Sequence, residues 1–294
     1  MRRGPMTDTP TLLSFGHGYT ARALASRLMA KGWRVIGTTR REERAAEIRA
    51  TGAEATIWPG GDLAKVFEEA THLLTSVSPN EEGDPVLGEH SDEITKAAPK
   101  IRWAGYLSTT GVYGDREGGW VDEDSPCTPT TRRGQWRLAA ETAWQSLAKD
   151  CGLPLHIFRL AGIYGPGRGP FAKVRNGTAR RIIKPGQVFS RIHVEDIASV
   201  LEASIQSPRP GQIYNVCDDL AAPPQDVIAY AAELLSLPVP QAVDHEKADL
   251  SPMARSFYAE SKRVSNARIR EALGVTLRYP TYREGLAALL AAEG

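Results

Sequence analysis

A pair of glycines follows the first apolar run of the chain. Residues 12–15 are Leu-Leu-Ser-Phe, and the pattern G-x-G-x-x-A then runs from Gly16 to Ala21. This pattern typically forms a strand, a tight turn and a helix N-terminus: Gly16 allows the turn, Gly18 leaves room for a pyrophosphate, and Ala21 lets the helix pack close to the strand. A loop that only needs two flexible residues is the alternative, but the flanking strand and helix patterns favour a dinucleotide site. The residues expected to contact the cofactor at this turn are Gly16, His17, Gly18, Tyr19 and Thr20.

The end of the second predicted strand bears on which dinucleotide is bound. Residues 33–39 form that strand, and Thr39 is followed by Arg40 and Arg41. A NAD-preferring site has an acidic residue here for the ribose 2′-hydroxyl, whereas guanidinium groups suit a 2′-phosphate through their charge and paired donors. A solvated first turn of the next helix, residues 41–50, is the alternative. A cation there opposes the helix dipole, which favours an anionic partner. The sequence therefore predicts NADP, with NAD less favoured.

Strands and helices alternate through the first third of the chain. Further strands are predicted at residues 55–58, 72–76 and 101–108, with helices between them. Such alternation builds right-handed βαβ units, so the expected fold class is α/β with a doubly wound parallel sheet. Asp62 is expected to cap the helix that follows it or to reach the adenine side of the cofactor, and the two roles are compatible. The residues expected at strand ends beside the cofactor are Asp62, Leu63, Ser76, Val77, Ser78, Leu107 and Ser108.

Composition argues against several classes of function. With 36 Lys and Arg against 35 Asp and Glu, the net charge is +1, which gives no general attraction to nucleic acid or to anionic membranes. No apolar run approaches the roughly 18 residues of a membrane span. Cys127, Cys151 and Cys217 are an odd number without a C-x-x-C pair. Reduced thiols in a cytoplasm are therefore expected, with neither a disulfide framework nor a metal site.

Five motifs occur in order through the rest of the chain. They are L-S-T-T-G-V-Y-G at 107–114, V-D-E-D-S-P at 121–126, F-R-L-A-G-I-Y-G-P-G at 158–167, R-I-H-V-E-D-I-A at 191–198 and I-Y-N-V-C-D-D at 213–219. Together they resemble the extended short-chain dehydrogenase/reductases, the NAD(P)-dependent epimerase/dehydratase family. The resemblance implies a Rossmann doubly wound sheet with a smaller C-terminal substrate lobe.

The resemblance also implies how the chain divides and what it binds. Residues 7–165, completed by about 189–218, are expected to form the NAD(P)-binding domain. Residues 166–188 and 219–294 are expected to form the smaller substrate-binding lobe. The implied partner is a small molecule, with a nucleotide sugar as the best analogy. A monomer and a homodimer both stay open, because Trp136 and Trp144 suit either an interface or a core.

The sequence departs from this family at its catalytic pair. Enzymes of the family use a Ser or Thr after the fifth strand, matched here by Thr109, and a Tyr-x-x-x-Lys on the next helix. Counting on from the first motif, the Tyr position holds Arg133 and the Lys position holds Arg137. A guanidinium stays protonated, so Arg133 cannot exchange a proton near neutral pH. Arg137 still suits a ribose or phosphate, and the resemblance adds Leu160 and Ile163 to the cofactor contacts.

Two other side chains are candidates for the missing proton donor. Tyr113 follows the fifth strand and His193 lies in the fourth motif, and packing or a backbone hydrogen bond is the alternative for each. The candidate catalytic residues are thus Thr109, Arg137, Tyr113 and His193. Residues 171–185 are basic, which suits either an anionic substrate or a solvated helix face. The expected substrate contacts are Arg133, Tyr164, Arg168, Arg175 and Arg191.

Two functions follow from these residues. The first is an atypical NADP-dependent oxidoreductase or epimerase-like enzyme whose proton donor has moved. The second is a catalytically inactive NADP(H)-binding sensor or regulatory protein. The glycine turn, Arg40 and Thr109 fit both. Arg133 at the Tyr position favours the sensor, and the basic lobe favours the enzyme.

Overall fold

A computed structural model describes residues 9–293, apart from the side chains of residues 252–254. The predicted domain boundaries at residues 7 and 294 lie outside the described residues. The described strands, in chain order, are β1 (Thr11–Phe15), β2 (Arg34–Thr39), β3 (Glu54–Ile57), β4 (His72–Thr75), β5 (Trp103–Thr109), β6 (Trp120–Val121), β7 (Leu155–Leu160), β8 (Gly162–Tyr164), β9 (Arg181–Ile183), β10 (Arg191–His193), β11 (Ile213–Val216), β12 (Ala242–Asp244) and β13 (Arg263–Val264).

Helices alternate with the first strands, as the apolar spacing predicted. The described helices are α1 (Tyr19–Met29), α2 (Glu42–Ala50), α3 (Ala64–Glu69), α4 (Pro85–Ala97), α5 (Arg132–Cys151), α6 (Phe171–Arg175), α7 (Val194–Gln206), α8 (Pro224–Leu234), α9 (Pro252–Tyr258), α10 (Ala267–Leu273) and α11 (Tyr282–Ala291). Short 3-10 turns are described at Ala98–Lys100, after α4, and at Thr110–Tyr113, directly after β5.

Seven of the strands form one sheet in the order β11-β7-β5-β4-β1-β2-β3. The pairs β1–β2, β1–β4, β2–β3 and β4–β5 are all parallel, with Leu12 opposite both Val35 and His72. Every residue of β1 is buried, as expected for a central parallel strand with helices on both faces. The α/β fold with a Rossmann-type doubly wound sheet is confirmed.

The chain divides into two compact units. Of the described residues, the first contains 9–108 together with Ala139–Ile157 and Leu201–Gln212. The second contains Thr109–Leu138, Phe158–Val200 and residues 213–293. The assignment of residues 7–165 and 189–218 to cofactor binding, and of the rest to substrate binding, stays a prediction.

The first unit buries large aromatic side chains between sheet and helices. Trp144, which the sequence left between an interface and a core, is fully buried, and its ring centroid lies 6.0 Å from that of Tyr106. Trp103 is also fully buried, and its Nε1 donates to Ser204 Oγ at 3.0 Å. These contacts place Trp144 in the core, because its ring has no exposed surface for a partner.

The second unit has its own apolar cluster, in which α11 packs against Tyr164. Its buried members include Tyr164, Phe171, Ala231, Tyr282 and Leu286. The approach is so close that a Cβ built on Gly285 would lie 2.1 Å from Tyr164 Oη. A side chain at residue 285 therefore cannot be accommodated without moving that ring.

Two helical glycines should respond to alanine with opposite sign. Gly88→Ala in α4 meets nothing within 4 Å, so removing the excess backbone freedom of glycine should stabilise the fold by about 0.5–1 kcal/mol. Gly285→Ala should destabilise it by about 1–3 kcal/mol through overpacking against Tyr164. Urea unfolding of both variants measures the difference. A stabilised Gly285→Ala protein would show that α11 does not pack as described.

Candidate functional site

The glycine turn after β1 is held from both sides by neighbouring strands. Gly16 adopts a left-handed φ of 71°. Its N–H donates to Thr38 Oγ1 at 3.0 Å, and Ser76 Oγ donates to its carbonyl at 2.5 Å. The N–H of His17 donates to the carbonyl of Thr38 at 3.1 Å. The turn is thus fixed by side chains at the carboxyl ends of β2 and β4, which flank β1 in the sheet.

The N-terminus of α1 opens onto the space above this turn. Gly18 precedes the helix, and a Cβ built on it would meet only the Gly16 carbonyl, at 3.6 Å. Ala21 is buried against the sheet, as predicted from its size. The first N–H groups of a helix have no intrahelical acceptor, and together with the helix dipole they suit a phosphate. The local geometry therefore matches that of a dinucleotide site.

A cleft of about 710 Å³ lies at this turn within the first unit. It is lined by Gly16, His17, Gly18, Tyr19, Arg22, Thr38, Thr39, Arg40, Arg41, Arg44, Glu47, Ile48, Trp58, Pro59, Val77, Ser78, Asn80 and Pro85. Eight of these were named from the sequence: four at the turn, the two arginines after β2, and Val77 with Ser78 after β4. The others come from helix faces and loops whose place depends on packing.

Four guanidinium groups line the cleft, and two of them were missed by sequence reasoning. Arg44 Nη1 lies 2.5 Å from Glu47 Oε2, and Arg22 Nη1 lies 3.9 Å from the same oxygen. Arg40 and Arg41 are exposed, and between residues 9 and 293 the structure shows no ion pair for either. Their charge is therefore available to an anion in the cleft.

The ring of His17 packs against Gly37 of β2. It is buried, and a Cβ built on Gly37 of β2 would lie 2.5 Å from its Cγ. Burial, and then the charge of Arg22, lowers the pKa of His17 to about 4, so the imidazole is neutral at pH 7. Neither ring nitrogen has a hydrogen-bond partner within the described part of the chain. These contacts favour the prediction that His17 contributes its backbone more than its ring.

Other residues predicted to contact the cofactor make structural contacts in the first unit. Asp62 Oδ1 accepts from the N–H of Ala64, the first residue of α3, at 2.9 Å, while the N-cap position itself is Leu63. Thr20 and Leu63 are buried. Ser108 Oγ donates to the buried Glu141 Oε1 at 2.5 Å. A cofactor contact by these residues, or by Leu107, stays a prediction.

In the second unit, the residues at the predicted catalytic positions lie on the turn after β5 and on α5. Thr109 Oγ1 accepts from the N–H of Gly111 at 3.1 Å, which leaves its hydroxyl hydrogen free to donate. Arg133 is exposed and Arg137 is half-buried, four residues apart on α5. That spacing places them on one helix face. Their roles stay predictions, as do the contacts of Leu160 in β7 and Ile163 in β8.

The two candidate proton donors are packed inside the second unit. Tyr113 Oη donates to Asn215 Oδ1 at 2.7 Å and accepts from Arg159 Nη1 at 2.9 Å. Burial raises the pKa of Tyr113 to about 12. The N–H of Glu195 donates to Nδ1 of the buried His193 at 3.2 Å. These contacts favour the structural alternative for both residues, and a catalytic role for either stays a prediction.

Several predicted substrate contacts also have intramolecular partners. Arg175 forms an ion pair with Glu293, and Arg191 Nη1 donates to the carbonyls of Phe189 and Ala222 at 2.8 and 3.0 Å. Tyr164 is buried, and its Oη donates weakly to the carbonyl of Thr281 at 3.4 Å. The side chain of Arg168 is exposed in the loop before α6. Substrate contact by these residues stays a prediction.

Basic side chains of residues 171–185 also form hydrogen bonds to the part of the chain that follows α8. Arg181 Nη1 donates to the carbonyl of Pro240 at 3.4 Å, and Lys184 Nζ donates to the carbonyl of Tyr258. β9 pairs in parallel with β12, placing Ile182 opposite Val243. Because backbone carbonyls are their partners, these cations are not simply a solvated helix face.

Comparison with known proteins agrees with the fold. Residues 90–217 match the model of the NAD dependent epimerase/dehydratase family. The chain belongs to this family. A functionally unknown conserved protein from Silicibacter pomeroyi DSS is 61% identical, over 97% of this chain and 99% of its own, with a TM-score of 0.92. Protein YeeZ of Escherichia coli K12 is 28% identical over 284 residues, which is 90% of this chain and 94% of YeeZ.

A solved structure of low sequence identity shares only the fold. UDP-glucuronic acid 4-epimerase from Bacillus cereus, solved with UDP-glucuronic acid and NAD, is 16% identical, over 97% of this chain and all of its own, with a TM-score of 0.76. Among residues 9–293 the structure contains no cluster of His, Cys, Asp or Glu suited to a metal ion, and no helix long and apolar enough to cross a membrane.

The contact between His17 and Gly37 yields a stability prediction. Gly37→Ala should destabilise the fold by about 1–3 kcal/mol, because the new methyl group meets the imidazole ring. His17→Ala removes the ring, so the double variant should be less destabilised than the sum of the single variants by roughly 1 kcal/mol. Urea unfolding of the four proteins measures this coupling. If the destabilisations caused by the two substitutions were additive, the His17 ring would not contact the side chain introduced at residue 37.

Proposed function

We propose that the protein binds NADP(H) in the cleft of its first unit. One observation carries the proposal: a glycine turn suited to phosphate lines the same cleft as two exposed arginines at the end of β2. The N–H groups at the start of α1 would hold the pyrophosphate. Arg40 and Arg41 would hold the 2′-phosphate, because a guanidinium binds phosphate oxygens through paired donors. Thr39 stands where a NAD-preferring site has an acid, although the Bacillus cereus relative was solved with NAD.

The reaction proposed is that of an atypical short-chain oxidoreductase or epimerase-like enzyme. When bound, the nicotinamide would supply or accept a hydride. Thr109 would donate a hydrogen bond to the reacting oxygen through its free hydroxyl hydrogen. Arg137 would hold ribose or phosphate, and Arg133, which cannot exchange a proton, would bind an anionic part of the substrate. The substrate class is a nucleotide sugar or another small anion, supported by fold analogy to the Bacillus cereus epimerase.

A second function is favoured by one specific observation. The residue at the usual Tyr position is Arg133, and Tyr113 and His193 are engaged in buried contacts. A protein with an intact cofactor cleft and no proton donor would bind NADP(H) without turnover. In that case it acts as a sensor whose output is a conformational change or a partner.

Arg40→Ala should separate the two dinucleotides. Loss of a charge-assisted contact to the 2′-phosphate should weaken NADPH binding roughly tenfold, about 1.4 kcal/mol, and leave NADH binding nearly unchanged. Quenching of Trp58, which lines the cleft, gives the readout. Arg49→Ala on α2 is the matched control, because Arg49 pairs with Glu42 rather than lining the cleft. Equal loss for both dinucleotides would contradict the assignment of Arg40.

Turnover decides between the enzyme and the sensor. The enzyme should convert UDP-glucuronic acid or UDP-glucose in the presence of NADP, measured by product analysis and by the absorbance of reduced nicotinamide. Thr109→Ala should slow this conversion on the order of a hundredfold, and Thr109→Ser should retain most of it. NADPH binding without conversion of any carbonyl or sugar-nucleotide substrate would instead support the sensor.

A further inference from the structure

Glu47 is the only carboxylate among the described residues that line the cofactor cleft. It lies on α2, one helical turn after Arg44, and its side chain is half exposed. It therefore faces the same space as the four guanidinium groups. The sequence gives no motif for it, because nothing in residues 42–50 marks which helix face is turned toward the glycine turn.

The carboxylate of Glu47 contacts cations from two helices. Its Oε2 lies 2.5 Å from Arg44 Nη1 on α2 and 3.9 Å from Arg22 Nη1 on α1. The three side chains are between 41% and 50% exposed, so water weakens these pairs. A phosphate that engages Arg44 Nη1 or Arg22 Nη1 competes with the carboxylate of Glu47 for the same N–H donors.

A negative charge at this place acts on a 2′-phosphate in two ways. It repels the phosphate directly, and it occupies Arg44 and Arg22, which the phosphate would otherwise engage. A ribose 2′-hydroxyl is uncharged and can donate a hydrogen bond to a carboxylate, so neither penalty applies to it. Both effects therefore lower the affinity for the phosphorylated dinucleotide relative to the unphosphorylated one.

We propose that Glu47 is a specificity-determining residue of the cleft, whose carboxylate limits the preference for NADP over NAD. This inference rests on the proposed function, since it needs a dinucleotide in this cleft. Arg40 and Arg41 supply the attraction to the 2′-phosphate, and Glu47 with its two arginine partners sets how large the preference becomes.

Glu47→Gln tests the proposal through the ratio of two dissociation constants. NADPH should bind roughly three- to tenfold more tightly, and NADH should bind equally or slightly more weakly. The gain should shrink at high salt, because charges near the surface are screened. Glu43→Gln is the matched control: it removes the same charge from the same helix, but Glu43 does not line the cleft.

A second variant tests whether Glu47 lowers the affinity for NADPH by engaging Arg44. In the Glu47→Gln background, Arg44→Gln should cancel most of the gain in NADPH affinity, because the released guanidinium is then absent. An unchanged NADPH to NADH ratio in Glu47→Gln would overturn the inference while leaving NADPH binding by the original protein intact. So would an equal change in Glu43→Gln, which would show a general charge effect. Failure of the original protein to bind either dinucleotide would overturn both the inference and the proposed function.

Discussion

The fixed geometry of the first glycine turn is the constraint on which the cofactor cleft depends. Gly16 is bonded through its N–H to Thr38 and through its carbonyl to Ser76, so the turn is clamped between β2 and β4. Parallel strands end at the same edge of a sheet, which brings these two side chains to the turn. These hydrogen bonds fix the turn so that the N-terminus of α1 faces the cleft. A substitution that moves β2, such as one at Gly37 beneath the His17 ring, moves the turn with it.

The charge of the cleft follows from this arrangement. α1 and α2 both flank the turn, and their facing sides bring Arg22, Arg44 and Glu47 together. Arg40 and Arg41 extend the positive surface without a carboxylate of their own in the described chain. Unpaired exposed cations contribute little to folding, so their arrangement is better explained by binding. In the proposed function these cations hold the 2′-phosphate of NADP(H).

The motifs that carry the family resemblance contribute buried hydrogen bonds within the second unit. Tyr113 and Arg159 come from different motifs and form one buried hydrogen-bonded group with Asn215. Asp196 of the fourth motif accepts from the N–H groups of Arg278 and Tyr279 at 2.7 and 3.0 Å. These hydrogen bonds offset the cost of burying the polar side chains, although Asn215 Nδ2 has no partner among the described residues. The catalytic and binding roles of Thr109, Arg133 and Arg137 stay predictions.

The sequence by itself determined the strands and helices of the first unit and the turn between β1 and α1, because apolar period and glycine position are local properties. It also located Arg40 and Arg41, since they directly follow a strand. It could not decide whether Trp144 is core or whether Asp62 caps a helix, and it missed Glu47 entirely. Those outcomes depend on how helices rotate and pack against the sheet. Only the tertiary structure brings residues from α1, α2 and two strand ends within contact of one cleft, because such contacts join positions far apart in the chain.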